Sequence, residues 1–304
     1  MATIHYERNE IEEAHAIIDN VVIDPDRTMP ESWALYCRVR MSCLEALGRP
    51  LEADHFLESQ AGLAQRRDAR RMSLLLRAMK LELSIRRSQP ATTGIDPLVQ
   101  ALEQELAQTE ASWIVTTLLG RAVIPALTLS GQHDHARRLA EDLVKRAEWC
   151  GHQLFRAIGQ ILLARALDAA GDASSARTQL GAALRSTCGM RAVRPYIDIW
   201  AAKASIHLVR SIAEQTSAEV VDHIRALLRV LDAAVPQSLE GWSSLSERER
   251  DVLSALSAHT TTKAVAKTLG LSPETVKHHL KNIFNKLGVH SRTEALERLA
   301  QLTE

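Results

Sequence analysis

Long stretches dominated by Ala, Leu and Arg run along the chain, and no alternating or Val/Ile-rich segment reads as a strand, so the pattern predicts an all-α protein. It is clearest from Leu245 to Leu302. Ser246 followed by Glu249 forms a capping box, in which a hydroxyl and a carboxylate satisfy orphan amides at a helix start. That helix runs to about Ala258 and buries Val252, Leu253 and Leu256. A second, Thr262 to Leu269, turns Val265 and Leu269 inward, and Gly270 follows as the residue able to take a left-handed C-terminal turn. Ser272 caps a third helix with Pro273 at its first position, and Val276, Leu280, Ile283 and Leu287 form its apolar stripe. Gly288 ends it, and a last helix from about Arg292 to Leu302 carries Ala295, Leu296, Leu299 and Leu302 on one face that needs a partner.

Before residue 233 the pattern repeats. A helix ends in a small turn at L-E-A-L-G-R-P-L-E-A (Gly48), L-T-L-S-G-Q-H-D-H-A (Gly131) and L-D-A-A-G-D-A-S-S-A (Gly171), each with alanine five residues after the glycine. Gly131 and Gly171 lie 40 residues apart, and Gly48 and Gly131 lie 83 apart, about twice that. This period predicts breaks near residues 8, 89 and 212, where the chain has a charged start before Ile11, S-Q-P-A-T-T-G and A-E-Q-T-S-A. Helix pairs of this length make a TPR-like α-solenoid of about five to six pairs, longer per unit than the roughly 34-residue tetratricopeptide repeat. Alanine at the shared position lets paired helices approach closely, and a curved stack leaves a concave groove suited to a peptide, a helix or a small ligand. The predicted division is a repeat domain over 1–232, a connector over 233–244 containing L-E-G-W-S-S, and a terminal domain over 245–304.

Composition narrows the class. With 304 residues and 46% hydrophobic content the chain can bury two cores, at roughly one per 150 residues. No apolar run approaches the ~18 residues of a membrane span, and the Met1 region has no signal pattern, so a soluble cytoplasmic protein with no membrane contact is expected. Cys37, Cys43, Cys150 and Cys188 show neither a C-x-x-C pair nor metal-ligand spacing, which predicts reduced thiols in helix interiors and no metal. The absence of G-x-S-x-G, H-E-x-x-H or a clustered His and carboxylate set argues against an enzyme, and no cofactor motif is present.

The chemistry concentrates on the third terminal helix. Lys277, His278, Lys281 and Asn285 point away from its apolar stripe, while His279 flanks the core as either a satisfied structural histidine or a phosphate contact. Between Lys263 and Arg292 stand Lys263, Lys267, Lys277, Lys281, Lys286 and Arg292 against Glu274 alone, in a chain whose 37 basic and 37 acidic residues balance. Such a face suits phosphate neutralisation, although alone it also fits an ordinary solvated surface.

L-S-E-R-E-R-D-V-L, K-x-V-A-K-x-L, L-S-x-x-T-V-K-x-H and K-L-G-V-x-S-R stand over nearly sixty residues at the spacings of the LuxR-type (GerE-like) DNA-binding domain, which this segment closely resembles. The resemblance implies a four-helix helix-turn-helix domain whose third helix enters the major groove of a two-fold DNA site and whose last helix pairs with a second copy. Carried over by position, Lys277, His278 and Lys281 would read bases, and Lys263, Ser272, Thr275 and Lys286 would contact phosphates. Ala295, Leu296 and Leu299 would form the homodimer stripe. His259, Thr262 and Ala264 depart from the family's usual Gly, Asn and Glu, outside the reading face.

The repeat region resembles the tetratricopeptide-like sensor of MalT-type large LuxR-family regulators, through the repeat length, the A-R-x-x-L-x-x-A-L helix at Ala176 to Leu184, and R-A-V-R-P-Y-I-D at Arg191 to Asp198. No G-x-x-x-x-G-K-[ST] is present, so the ATPase module of the large members is missing from this sequence. An arginine set, Arg66, Arg67, Arg70, Arg71, Arg86 and Arg87, brackets one predicted helix as an anion site or as solvated helix ends, and Trp33, Trp113, Trp149 and Trp200 read as core. The leading expectation is a dimeric transcription regulator, an activator, whose repeats sense a small-molecule or protein effector at residues that cannot be assigned, with RNA polymerase as a candidate contact. The alternative is an interaction module whose repeats capture a regulatory protein and whose terminal domain has little DNA affinity.

Overall fold

A computed structural model describes residues 1–88, 94–108, 112–199, 206–213, 217–234, 246–258, 261–287, 289 and 291–296. Among the described residues all regular structure is helical, and no helix is long and apolar enough to cross a membrane. The chain forms two compact units, Met1–Arg229 and Val230–Glu304. The first contains α1 (Ala2–Glu7), α2 (Ile11–Asp19), α3 (Pro30–Ala46), α4 (Pro50–Arg66), α5 (Arg70–Arg86), α6 (Asp96–Ala107), α7 (Trp113–Leu129), α8 (His133–Trp149), α9 (Gln153–Ala169), α10 (Ala173–Thr187), α11 (Arg194–Ile199), α12 (Ile206–Ala213) and most of α13 (Ala218–Ala234). The expected connector falls almost wholly outside the described residues.

Helix starts at residues 30, 50 and 70, and again at 113, 133, 153 and 173, place two helices in each 40-residue period. Left-handed residues mark the turns. Gly48, Gly131 and Gly171 have φ of 70°, 79° and 86°, and the amide after each bonds the carbonyl five residues back, as Gln132 N does to Leu127 O at 2.9 Å. Gly151 does the same work, while Asn9, Asp68, Ser88 and Arg191 adopt left-handed φ without being glycine. The breaks expected near 8, 89 and 212 fall where α1, α5 and α12 end. Ala53, Ala136 and Ala176, the shared alanines, are completely buried.

From α1 to α5 and from α6 to α10 each helix packs on the next, and the odd-numbered helices also pack on one another: α1 on α3, α3 on α5, α5 on α7, α7 on α9, α9 on α11 and α11 back on α1. Among the described residues they therefore close a ring. Apolar residues on every side of α7 (Val115, Leu118, Leu119, Val123, Ile124) fit its place inside the ring.

Asp198 closes that ring. Its fully buried carboxylate is paired with Arg194 at 2.8 Å, Arg86 at 3.1 Å, Arg121 at 3.3 Å and Arg38 at 3.4 Å, and accepts a hydrogen bond from the Tyr6 hydroxyl at 2.8 Å. The network extends from Arg121 to Glu82 at 3.0 Å and from Arg38 to Glu7 at 3.5 Å. Burial alone would push the Asp198 carboxyl up, but Arg194, Arg86, Arg121 and Arg38 together hold it well below the ordinary carboxylate range. One backbone bond, Val193 N to Glu7 O at 2.8 Å, joins the two ends of the ring directly.

Several sequence expectations are corrected here. The arginines around α5 do not assemble an anion site: Arg86 pairs with Asp198, Arg87 with Glu45 and Asp54, Arg71 with Glu105, and Arg67 with Asp26. Trp33 is core, but Trp149 is 72% exposed beside Arg146, and Trp200 lies outside the described residues. Cys37 and Cys43 are buried in α3, whereas Cys150 and Cys188 sit at the C-terminal caps of α8 and α10.

Asp198→Asn leaves four buried guanidinium groups short of their shared partner and is expected to cost about 3–5 kcal/mol in urea unfolding of the chain. Turn chemistry supplies two opposite signs: Gly131→Ala should destabilise by about 1–2 kcal/mol, and Arg191→Gly should stabilise by about 0.5–1 kcal/mol, both read as shifts in the urea midpoint.

Candidate nucleic-acid interface

The second unit contains α14 (Glu247–Ala258), α15 (Thr262–Leu269), α16 (Pro273–Leu287) and helical residues 292–296. Caps set these boundaries. Ser246 N donates to Glu249 Oε2 at 2.7 Å and Glu249 N donates to Ser246 Oγ at 3.3 Å, the reciprocal pair read from the sequence. Thr261 Oγ1 accepts from Ala264 N at 3.2 Å, and Gly270 ends α15 with φ of 64°. Ser272 Oγ then accepts from Thr275 N at 3.1 Å, so the turn between α15 and α16 is defined by one left-handed glycine and one capping serine.

The core under these helices is Val252, Leu253, Leu256, Val265, Ala266, Val276, Ile283 and Ala295, with Leu269, Leu280, Phe284 and Leu296 packed at its edge. Val276 and Ile283 anchor α16, and the opposite face is open: Lys277, His278 and Lys281 are all exposed. His279 is half-buried, matching its flanking position. Lys277 Nζ lies 2.8 Å from Glu274 Oε1 in an exposed pair, a contact of little net strength that a phosphate or base edge would readily replace. His278 Nε2 lies 3.3 Å from Asn282 Nδ2. Lys263 and Lys267 on α15, with Ser272 and Thr275 at the start of α16, are exposed as well. The Thr275 hydroxyl is already within 2.7 Å of the Ser272 hydroxyl, so both serve the cap while remaining at the surface.

Arg292 differs from the other basic residues of the segment. Its Nη2 donates to Leu256 O at 2.8 Å, so it ties the last helix to α14. Arg248 similarly donates to Leu269 O at 3.2 Å, at the end of α15. Ala295 is completely buried in the domain's own core, which corrects its assignment to a stripe open to a second copy; Leu296 is only partly covered. Leu299, Gly288, His259 and the side chains of Asn285 and Lys286 lie outside the described residues. Sequence reasoning also missed Thr261 as a cap and a second capping arrangement, in which Glu294 N donates to Ser291 Oγ at 3.2 Å. The S-x-x-E spacing at Ser291 was the available signal.

Thermal unfolding of the unit distinguishes cap residues from surface residues. Ser246→Ala should cost about 1 kcal/mol and Gly270→Ala about 1–2 kcal/mol, whereas His278→Ala should change stability by less than about 0.5 kcal/mol.

Residues 243–299 match the family model described as bacterial regulatory proteins, luxR family. The spore germination protein GerE of Bacillus subtilis is 40% identical over 60 residues, covering 20% of this chain and 81% of that protein. The HTH-type transcriptional activator RamA of Corynebacterium glutamicum is 34% identical over 99 residues, covering 32% of this chain and 34% of that protein. A putative HTH-type transcriptional regulator of Mycobacterium tuberculosis is 41% identical over 61 residues; this chain spans only 7% of that relative's length. No solved structure matches the chain. With 81% of GerE covered at 40% identity by the segment that builds α14 to α16, the chain belongs to the luxR family of bacterial regulatory proteins.

Proposed function

We propose that the chain is a sequence-specific DNA-binding transcription regulator, an activator that acts as a homodimer on a two-fold site. The observation that carries this reading is the division of α16 into a buried stripe anchored by Val276 and Ile283 and an open face bearing Lys277, His278 and Lys281. Lysine donors there suit guanine O6 and N7 in the major groove. Lys263, Ser272, Thr275 and Lys286 would set the register on phosphates, which adds affinity without sequence information. Leu296 and Leu299 remain the candidate dimer contacts, and RNA polymerase is a candidate partner.

In this reading the TPR-like, MalT-like repeat region over 1–232 senses an effector, and the connector over 233–244 transmits its state to the domain over 245–304. The helix pairs repeating every 40 residues support the comparison with helical-repeat sensors. The effector must bind one arrangement of the protein better than another, since only a difference in affinity shifts a conformational population.

Selection of the purified chain's own genomic DNA at two salt concentrations should recover a two-fold sequence that survives the higher salt. On that sequence the Lys277→Ala/Lys281→Ala double variant should bind at least about a hundredfold more weakly with its helicity unchanged. Lys263→Ala should weaken all sequences alike and reduce the salt slope by about 1. Retention that is sequence-blind and lost with salt would sink this reading in favour of a protein-docking role.

A further inference from the structure

The exposed residues of α5 are Arg70, Arg71, Arg77 and Lys80, all of them basic, and its one acid, Glu82, is buried against Arg121. Near the start of the helix Arg70 lies 3.4 Å from Asp68 and Arg71 lies 3.0 Å from Glu105. At mid-helix Arg77 and Lys80 have no hydrogen-bond or ion-pair partner among the described residues. Ser73, Leu74, Arg77, Lys80, Leu81 and Ser84 recur at three- and four-residue intervals, so the two unpaired cations share a face with two half-buried leucines and two half-buried serines.

Two hollows border that face and meet at Arg77. One, of about 280 Å³, lies between the end of α4 (Ala64, Gln65) and the first half of α5 (Ser73, Leu74). The other, of about 270 Å³, lies between the second half of α5 (Lys80, Leu81, Ser84) and the start of α6 (Ile95, Leu98). The second hollow falls where the succession of packed neighbours is interrupted: between α1 and α10, the step from α5 to α6 is the one without extended contact among the described residues. From Arg70 to Ser84 the groove follows α5 for about 21 Å, the length of about four helical turns.

Two chemistries alternate along it. Leu74 and Leu81 stand two turns apart, roughly 10 Å, with Arg77 and Lys80 between them. A phosphate backbone would engage the cations and leave the leucines wet. A helix with two apolar anchors seven residues apart and carboxylates between them would cover both. We propose that the outer groove of α5 is a docking site for an acidic amphipathic helix of a partner protein, whose carboxylates neutralise Arg77 and Lys80 while its apolar anchors cover Leu74 and Leu81. Burial of the leucines supplies affinity, and the exposed cations supply specificity and rate of encounter. The site lies wholly within the first unit and does not rest on the DNA-binding reading.

Fluorescence anisotropy tests the site with the full chain and a labelled, alanine-based helical peptide of about 18 residues. The peptide carries two leucines seven residues apart, with glutamates three and four residues after the first. Saturable binding tighter than about 100 μM is expected, weakened at least about tenfold when the glutamates become glutamines or the leucines become alanines. Arg77→Glu/Lys80→Glu, a change at exposed positions, should keep the chain's helicity, lose the acidic peptide and bind a version with lysines in place of the glutamates. Absence of saturation by about 1 mM overturns the proposal, as does a glutamine or alanine peptide that binds as well as the parent, or a folded double variant that keeps the parent's affinity. A random-sequence DNA duplex whose affinity falls as far as the peptide's in that variant would overturn it too, marking a nucleic-acid surface instead.

Discussion

The N-terminal unit depends on the gathering of four arginines around the Asp198 carboxylate. An ion-paired interior of this kind gains little over an apolar one of the same shape, because desolvating each charge offsets most of the attraction. What it provides is definition of geometry: a buried carboxylate with four guanidinium partners tolerates one arrangement of α1, α3, α5, α7 and α11 and penalises any other. An open stack of helix pairs can slide or unwind by small steps, since each pair touches only its neighbours. Here Tyr6 and Arg194 join the first and eleventh helices at the same carboxylate, so the repeat is closed on itself and its ends are no longer independent.

That closure decides where chemistry can occur in the unit. The surface arginines, which in isolation resemble an anion site, are spent on Glu45, Asp54, Glu105 and Asp26. Inside, unpartnered atoms remain on both signs of charge, Glu7 Oε2 as well as Arg38 Nε and Arg121 Nη1. In the luxR-type unit the arrangement is reversed: the interior is apolar and the lysines stay outside, where they remain available to a polyanion. Arg292 and Arg248 show the same economy, each donating to a backbone carbonyl of a neighbouring helix.

Legibility from sequence followed the range of the interactions. In the terminal unit nearly every boundary rests on contacts within one turn, Ser246 with Glu249, Thr261 with Ala264, Ser272 with Thr275, and on the left-handed φ of Gly270. Residue identity alone reveals such features, and the open face of α16 follows once Val276 and Ile283 are known to be buried. Ala295 was misread because an apolar stripe at helical spacing does not say whether its partner is the domain's own core or a second chain. The repeat was legible for the same local reason at the glycine turns, and harder to see where Asp68, Ser88 and Arg191 take the left-handed position without glycine.

By itself, then, the sequence determined the helices, their 40-residue pairing, the capped helix-turn-helix and the outward lysines, all set by bonds between residues close along the chain or by periodicity on one helix. Only the tertiary structure decided that the repeat closes into a ring and that R-A-V-R-P-Y-I-D supplies its central carboxylate. Tyr6 and Arg38 meet Asp198 across 192 and 160 residues of chain. No local propensity encodes contacts at such separation; they exist because burying a carboxylate obliges the fold to bring cations to it from wherever the chain holds them.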